Sequence, residues 1–238
     1  MPAVTGLLFD KDGTLFDFRA TWGGWTARLI KELAEGDDDL AARLYKILGY
    51  IPQSQDFQPD SPVIAQTVAE IRDRLLPELP GWDGEILLER MNELAVQNTM
   101  VEAVPLAPLF AAFKRAGLKI GLATNDAEAP ARAHLERAGI ATDFDFVAGF
   151  DSGWGGKPAT GQMQAFLRQT GLRAENVAMV GDSLHDLEAG RAAGMRRVAV
   201  LSGIASGSDL APHADVVLAD IGALVEWVAT QANSQQAD

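Results

Sequence analysis

The sequence predicts an α/β fold, a doubly wound, Rossmann-like parallel sheet carrying an inserted all-helical domain, and three observations predict it. A short apolar run, Leu7-Leu8-Phe9, stops at the polar, glycine-containing turn Asp10-Lys11-Asp12-Gly13-Thr14, as a buried strand does. From about Phe18 to Val101 the apolar residues recur at helical spacing. After Pro105 and Pro108 strand and helix patterns alternate, which requires parallel strands covered on both faces.

In chain order, the first strand spans residues 7 to 9. In the insertion, Trp22, Trp25, Leu29 and Leu33 share one helical face, and Leu87, Met91 and Leu94 share another. Between them a proline-punctuated stretch from Ile51 to Pro62 precedes a helix from Val63 to Leu76, stopped by Pro77. The alternating part begins with a helix to Ala116 closed by Gly117, a strand Leu118 to Thr124, and a helix to Ala138 closed by Gly139. A strand Phe144 to Val147, a helix Gln162 to Gln169, a strand Val177 to Val180 and a helix Leu184 to Ala193 closed by Gly194 follow. Strands at Val198 to Leu201 and Val216 to Leu218 and a last helix complete the pattern. The first strand has no neighbour in sequence until after residue 105, so residues 1–17 and 102–238 form one core. Residues 18–101 form the insertion, expected above the first strand's C-terminal end. The polar run Gln231 to Asp238 is expected to be disordered.

Composition narrows the function. The chain has 33 acidic and 20 basic residues, a formal charge of −13, which opposes binding to nucleic acid or anionic membranes. It has no cysteine, which removes disulfides, thiolate metal sites and cysteine nucleophiles. The first residues lack the basic start and apolar stretch of a signal peptide, and no apolar run reaches membrane-spanning length. A soluble cytoplasmic protein, monomeric or homodimeric, is expected.

In open parallel sheets ligands bind beyond the carboxyl ends of the strands. Asp10 and Asp12 follow the first strand, Thr124 and Asn125 the second, and Gly181-Asp182-Ser183-Leu184-His185-Asp186 a later one. Lys157 follows the Phe144 to Phe150 segment through a glycine-rich turn. Four carboxylates, a hydroxyl and an ammonium are thus drawn to one edge. Clustered carboxylates need a cation or raised pKa values, and an oxygen-only donor set without His or Cys suits a hard divalent ion such as magnesium. A carboxylate nucleophile, donors for phosphate oxygens and a lysine for developing charge make a phosphoryl-transfer site.

The ordered motifs Asp10-x-Asp12-Gly13-Thr14-Leu15, Thr124-Asn125, Lys157-Pro158 and Gly181-Asp182-x-x-x-Asp186 resemble those of the haloacid dehalogenase superfamily over nearly the whole chain. The helical insertion between the first and second motifs resembles the cap of its phosphoglycolate phosphatase-like branch. The resemblance implies that Asp10 attacks phosphorus and becomes an aspartyl phosphate. It implies that Asp12 protonates the leaving oxygen and then deprotonates the hydrolytic water. Thr124 and the Asn125 backbone would hold phosphate oxygens, and Lys157 would neutralise the nucleophile and the phosphate. Asp182 would bind Mg2+ with Asp10 and the Asp12 carbonyl, and Asp186 would bind it directly or through water.

Asp12 favours a phosphatase over a dehalogenase, because an alkoxide leaving group needs a proton and a halide does not. The expected substrate is a small phosphorylated metabolite, with 2-phosphoglycolate the first guess. The enzyme alternative is a phosphosugar mutase of the same superfamily, whose cap excludes water. The alternative of another class is a receiver-like phosphoacceptor module, against which Asp12 and the long insertion argue. Of the remaining residues, Lys11 is expected to point away from the site, His185 to be a loop residue and His134 to lack convergent partners. Trp22 and Trp25 are expected to pack the cap core; Trp154 is a candidate for lining the entrance, and Asp182 one for capping the helix after it, a role that does not exclude metal binding. Arg19, Trp22 and Arg28 begin the insertion and are the candidates for specificity.

Overall fold

In the computed structural model the described residues are 3–233. The core is a six-stranded sheet of β1 (Gly6–Phe9), β4 (Lys119–Ala123), β5 (Phe146–Ala148), β6 (Val177–Gly181), β7 (Arg196–Val200) and β8 (Val216–Leu218). The order across it is β5-β4-β1-β6-β7-β8, and every pairing is parallel. β1 is central because all four of its residues are apolar or glycine and all are buried. Strand alternation sends Leu7 and Phe9 to one face and Leu8 to the other. The first face packs on α6 (Leu106–Arg115), α7 (Glu128–Arg137) and α11 (Leu224–Asn233) through Phe110, Phe113, Leu135 and Leu224. The second packs on α8 (Gly161–Thr170) and α9 (Leu184–Ala192) through Phe166 and Ala189. The sheet is therefore doubly wound, as the alternating pattern requires.

Register sets the position of the site. Phe9 pairs with Leu122 on one side and Val180 on the other, so the residues just after them emerge at one edge. Asp10 donates its amide to the Val180 carbonyl at 2.8 Å, and Thr124 donates its own to Ala148 at 3.0 Å. The chain leaves the core after β1 and returns before α6 through two segments that hydrogen-bond to each other. Asp17 N–H donates to the Val101 carbonyl at 2.8 Å and Ala103 N–H to the Leu15 carbonyl at 2.9 Å.

Between these segments lie α1 (Phe18–Ala34), α2 (Asp38–Leu48), β2 (Tyr50–Ile51), β3 (Asp56–Phe57), α3 (Pro62–Ala65), α4 (Val68–Leu75) and α5 (Gly84–Val96). They close on a second hydrophobic cluster that includes Trp25, Leu29, Leu48, Leu75, Leu87 and Met91. Each fully buried leucine there contributes roughly 1.5–3 kcal/mol. The side chains of Asp17, Asp37 and Asp83 accept amides in the first turns of α1, α2 and α5. Two features depart from the sequence reading. The insertion is not all helix: β2 and β3 pair antiparallel, held by a contact between the Tyr50 and Phe57 rings at 5.1 Å. The helix expected over Val63 to Leu76 is two helices, because Gln66 is extended and Thr67 starts α4 in a reciprocal cap with Glu70.

α10 (Gly207–Leu210) is a single turn between β7 and β8. α11 runs through Gln231 to Asn233, so the expected disorder does not begin at Gln231, and residues 234–238 lie outside the described residues. Among the described residues no helix is long and apolar enough to cross a membrane.

Candidate active site

The carboxyl edge of the sheet faces the insertion across a cleft. Asp10, Asp12, Thr124, Asn125, Lys157 and Asp182 line its core side, together with Asp126, Ser183 and His185. Of the candidates carried by the four motifs, Asp186 does not line it; it is fully buried just behind.

Lys157 links the candidates. Its Nζ donates to Asp10 Oδ1 at 2.5 Å and to Asp186 Oδ1 at 2.6 Å. The loop carrying it is clamped by Asn125, whose Oδ1 accepts from the Lys157 amide at 2.7 Å and whose Nδ2 donates to the Lys157 carbonyl at 3.0 Å. Gln162, fully buried on α8, donates to the Thr124 carbonyl at 2.9 Å and fixes the turn after β4. Thr124 Oγ1 accepts the Asp126 amide at 3.0 Å.

Asp182 is not the helix cap. Ser183 takes that place, accepting the Asp186 amide while Asp186 Oδ2 accepts from the Ser183 amide and hydroxyl at 3.1 and 2.7 Å. Asp182 is instead pressed from two sides. Gly13 has φ +79°, and a Cβ there would stand 2.3 Å from Asp182 Oδ2. At Gly203, after β7, a Cβ would stand 1.7 Å from the same oxygen. Ser202 donates to the Gly13 carbonyl at 2.8 Å, tying the two loops together. The β7 loop was not among the sequence candidates, although Ser202-Gly203 follows a buried strand at the same edge and the strand-end rule reaches it.

Electrostatics follow from burial. Burial pushes the Asp10 carboxyl up to about 7 against the pull of Lys157. Burial, then the charges of Asp10 and Asp186, push Asp182 well above the ordinary carboxylate range. Burial opposes a charge on Lys157, but the Asp10 and Asp186 carboxylates outweigh it and raise its pKa. Asp10, Asp182 and Asp186 each offer an oxygen within 4.8 Å of the others, and all three residues are buried. Three buried carboxylates beside one ammonium leave uncompensated negative charge, and their oxygen-only donor set fits a hard divalent cation.

Lys11 does not point away. It is fully buried, and its Nζ donates to Asp12 Oδ1 at 2.7 Å, pairs with Asp126 Oδ2 at 3.4 Å and lies 5.2 Å from the Trp22 ring centroid. His134 does have partners. Its Nδ1 lies 3.3 Å from Lys11 Nζ, and its Nε2 lies 2.8 Å from the Ala95 carbonyl of α5. Burial, then the Lys11 charge, lowers His134 to about 4, so the ring is neutral and donates through Nε2. Burial raises Asp126 to about 6, opposed by Lys11. A lone Lys or His carries no signal for such a cluster; it exists because the turn after β1 leaves strand geometry and no longer alternates sides. His185 belongs to the first turn of α9 and lines the cleft, so it is not a loop residue. Arg19 and Arg28 lie outside the cleft, paired with Asp56 and with Gln97, whereas Trp22 lines it. Trp154 packs on Phe146 with centroids 5.5 Å apart and does not line the cleft.

The chain is similar to known proteins. A family model, haloacid dehalogenase-like hydrolase, matches residues 4–194. A phosphoglycolate phosphatase of Rhodospirillum rubrum is 33% identical over 237 residues, covering 93% of this chain and 90% of the relative. A HAD phosphatase from Thermococcus onnurineus matches with TM-score 0.68 at 20% identity, over 94% of this chain and 98% of that one. A β-phosphoglucomutase of Clostridium difficile matches with TM-score 0.67 at 18% identity, over 99% of this chain and 100% of that one. At such identities the two structures show a shared fold alone.

Proposed function

The chain belongs to the haloacid dehalogenase-like hydrolase family, and from that premise we propose that it is a magnesium-dependent phosphatase of small phosphomonoesters, working through an aspartyl phosphate on Asp10. The observation that carries the reading is the Lys157 ammonium seated between Asp10 and Asp186 at one edge of the sheet. A nucleophilic carboxylate so placed keeps a cation at hand when the anionic phosphate arrives.

Asp10 attacks phosphorus, and Asp12, which lines the cleft two residues on, gives a proton to the departing alkoxide and later takes one from water. Thr124 and the Asn125 amide hold phosphate oxygens. Lys157 neutralises charge that develops on them. Asp10, Asp182, Asp186 and the Asp12 carbonyl would hold Mg2+, which when bound supplies Lewis-acid neutralisation of the phosphate oxygens. Residues 1–17 and 102–238 serve as catalytic core and 18–101 as a cap whose paired linkers are the hinge.

The name of the Rhodospirillum rubrum relative makes 2-phosphoglycolate the first ester to try. A mutase would also have to hold a sugar's hydroxyls, and the insertion's side of the cleft offers few polar partners for them. The test is phosphate release from an aryl phosphate with and without Mg2+ by wild type and Asp10→Asn. Magnesium-dependent release that Asp10→Asn lacks supports the reading; unchanged turnover by pure Asp10→Asn removes Asp10 as nucleophile.

A further inference from the structure

The substrate's phosphate and its alcohol must meet two different surfaces. The core side of the cleft holds the charged groups already described, so the alcohol portion lies against the insertion. That wall is built from Phe18, Trp22 and Trp25 of α1 and Val63, Ile64 and Val68 of α3 and α4. Apart from the indole N–H groups of the two tryptophans, its one polar side chain among the described lining residues is Gln66, whose amide oxygen accepts from Arg74 Nε at 2.7 Å, so that its amide nitrogen is the donor it can offer.

None of the insertion's lysines and arginines lines the cleft. Arg19 pairs with Asp56, Arg43 with Glu78, Arg72 with Glu85, Arg90 with Glu32, and Arg28 with Gln97, and none of them lines the cleft. Arg74, Lys31 and Lys46 are exposed and do not line it either. Among the described residues Lys157 is the one Lys or Arg in the lining, and it is committed to Asp10 and Asp186. Lys11 touches the back of the wall through the Trp22 ring, but its charge is taken by Asp12 and Asp126. His185 lies on the core side, beside Asp182 and Asp186.

A carboxylate brought against this wall would be buried without a cation, and a polyol would leave most of its hydroxyls without partners, since the wall offers them little beyond the Gln66 amide; both are penalised. An apolar group loses water and gains aromatic contact there. We infer that the substrate is a phosphomonoester of an uncharged apolar alcohol, aromatic or branched aliphatic, and not of a hydroxy acid or a sugar. The inference rests on the phosphatase reading and goes beyond it in naming the alcohol.

The test compares kcat/KM for benzyl phosphate and 2-phosphoglycolate with the full-length, Mg2+-loaded protein. Both release a primary alkoxide, so the comparison isolates the wall. The expected result is a preference for benzyl phosphate of about tenfold or more. Ile64→Lys, which places a cation in the wall, should swing the ratio toward 2-phosphoglycolate by about tenfold, while Ile64→Met, close in size, should keep the wild-type preference. A wild-type preference for 2-phosphoglycolate, or a ratio that Ile64→Lys in folded protein does not move, overturns the inference while leaving the phosphatase reading in place. Failure to hydrolyse these esters and an aryl phosphate alike, with Mg2+ present, overturns both.

Discussion

The two sides of the cleft are built on opposite principles. The core side is charged and comes from four separate strand-to-helix connections, each held by hydrogen bonds to its neighbours, as in the Asn125 clamp on Lys157. The opposite side is apolar and comes from three helices whose positions follow from packing around Trp25, Leu29 and Met91. Topology and hydrogen bonds fix the first; side-chain shape fixes the second. The difference implies that one side sets the reaction and the other sets what is carried to it, and four experiments press on that division.

The largest effect is expected at Asp10, the proposed nucleophile. Asp10→Asn should lower turnover of every phosphomonoester by about 10⁴-fold or more, as loss of a catalytic nucleophile does, measured as phosphate release. An equal loss on all esters keeps the core side blind to the alcohol; a loss that varies with the alcohol breaks the division.

Asp12→Asn comes next. An alkyl phosphate needs its leaving oxygen protonated, so kcat/KM on benzyl phosphate should fall by about 10²–10⁴-fold, and on p-nitrophenyl phosphate by far less. Equal losses on the two would remove Asp12 as the acid.

Lys11 joins the two sides, since its ammonium touches Asp12 and Asp126 in the core and the Trp22 ring of the insertion. Lys11→Met leaves Asp126 buried without its cation and should cost about 3–5 kcal/mol in urea unfolding. In the folded fraction the loss of kcat/KM should be about tenfold on the alkyl ester and smaller on the aryl ester, in proportion to how far Asp12 loses its orientation. A loss of stability with no difference between the esters would make the contact purely structural.

The smallest effect concerns pH. Asp10 is raised by burial to about 7, above its ordinary value of 3.8. A raised carboxyl favours its protonated form in the folded protein, so its stabilising contribution is full below about pH 4 and is lost as pH rises through 7. Metal-free protein should therefore melt lower at pH 8 than at pH 5, and Mg2+ should raise the melting temperature more at pH 8. An equal shift at both pH values would show that the carboxylate cluster does not take up the ion.

How much was legible in the sequence divides along the same line. Asp10, Thr124 and Asp182 could be placed at one edge because each follows a short apolar run bounded by turn residues, as a buried strand is, and Gly117, Gly139 and Gly194 mark helix ends through positive φ. Lys11, His134 and Asp126 could not be placed, because their meeting depends on a turn that abandons strand alternation and on α5 lying over α7. The break at Gln66 was hidden by an unbroken apolar pattern; only Thr67 and Glu70, three residues apart, record the new start. The wall's composition was present as helical stripes, but which stripe faces the cleft is a matter of packing between elements distant in sequence.

The most direct measurement is acid-quenched peptide mapping of Asp12→Asn mixed with p-nitrophenyl phosphate and Mg2+. This ester needs little help to leave, and without the Asp12 base the covalent intermediate should persist. Near-stoichiometric phosphate is expected on the peptide carrying Asp10. Phosphate on another residue, or turnover with no acid-stable or acyl-linked adduct on any peptide at any quench time, would contradict Asp10 as the nucleophile.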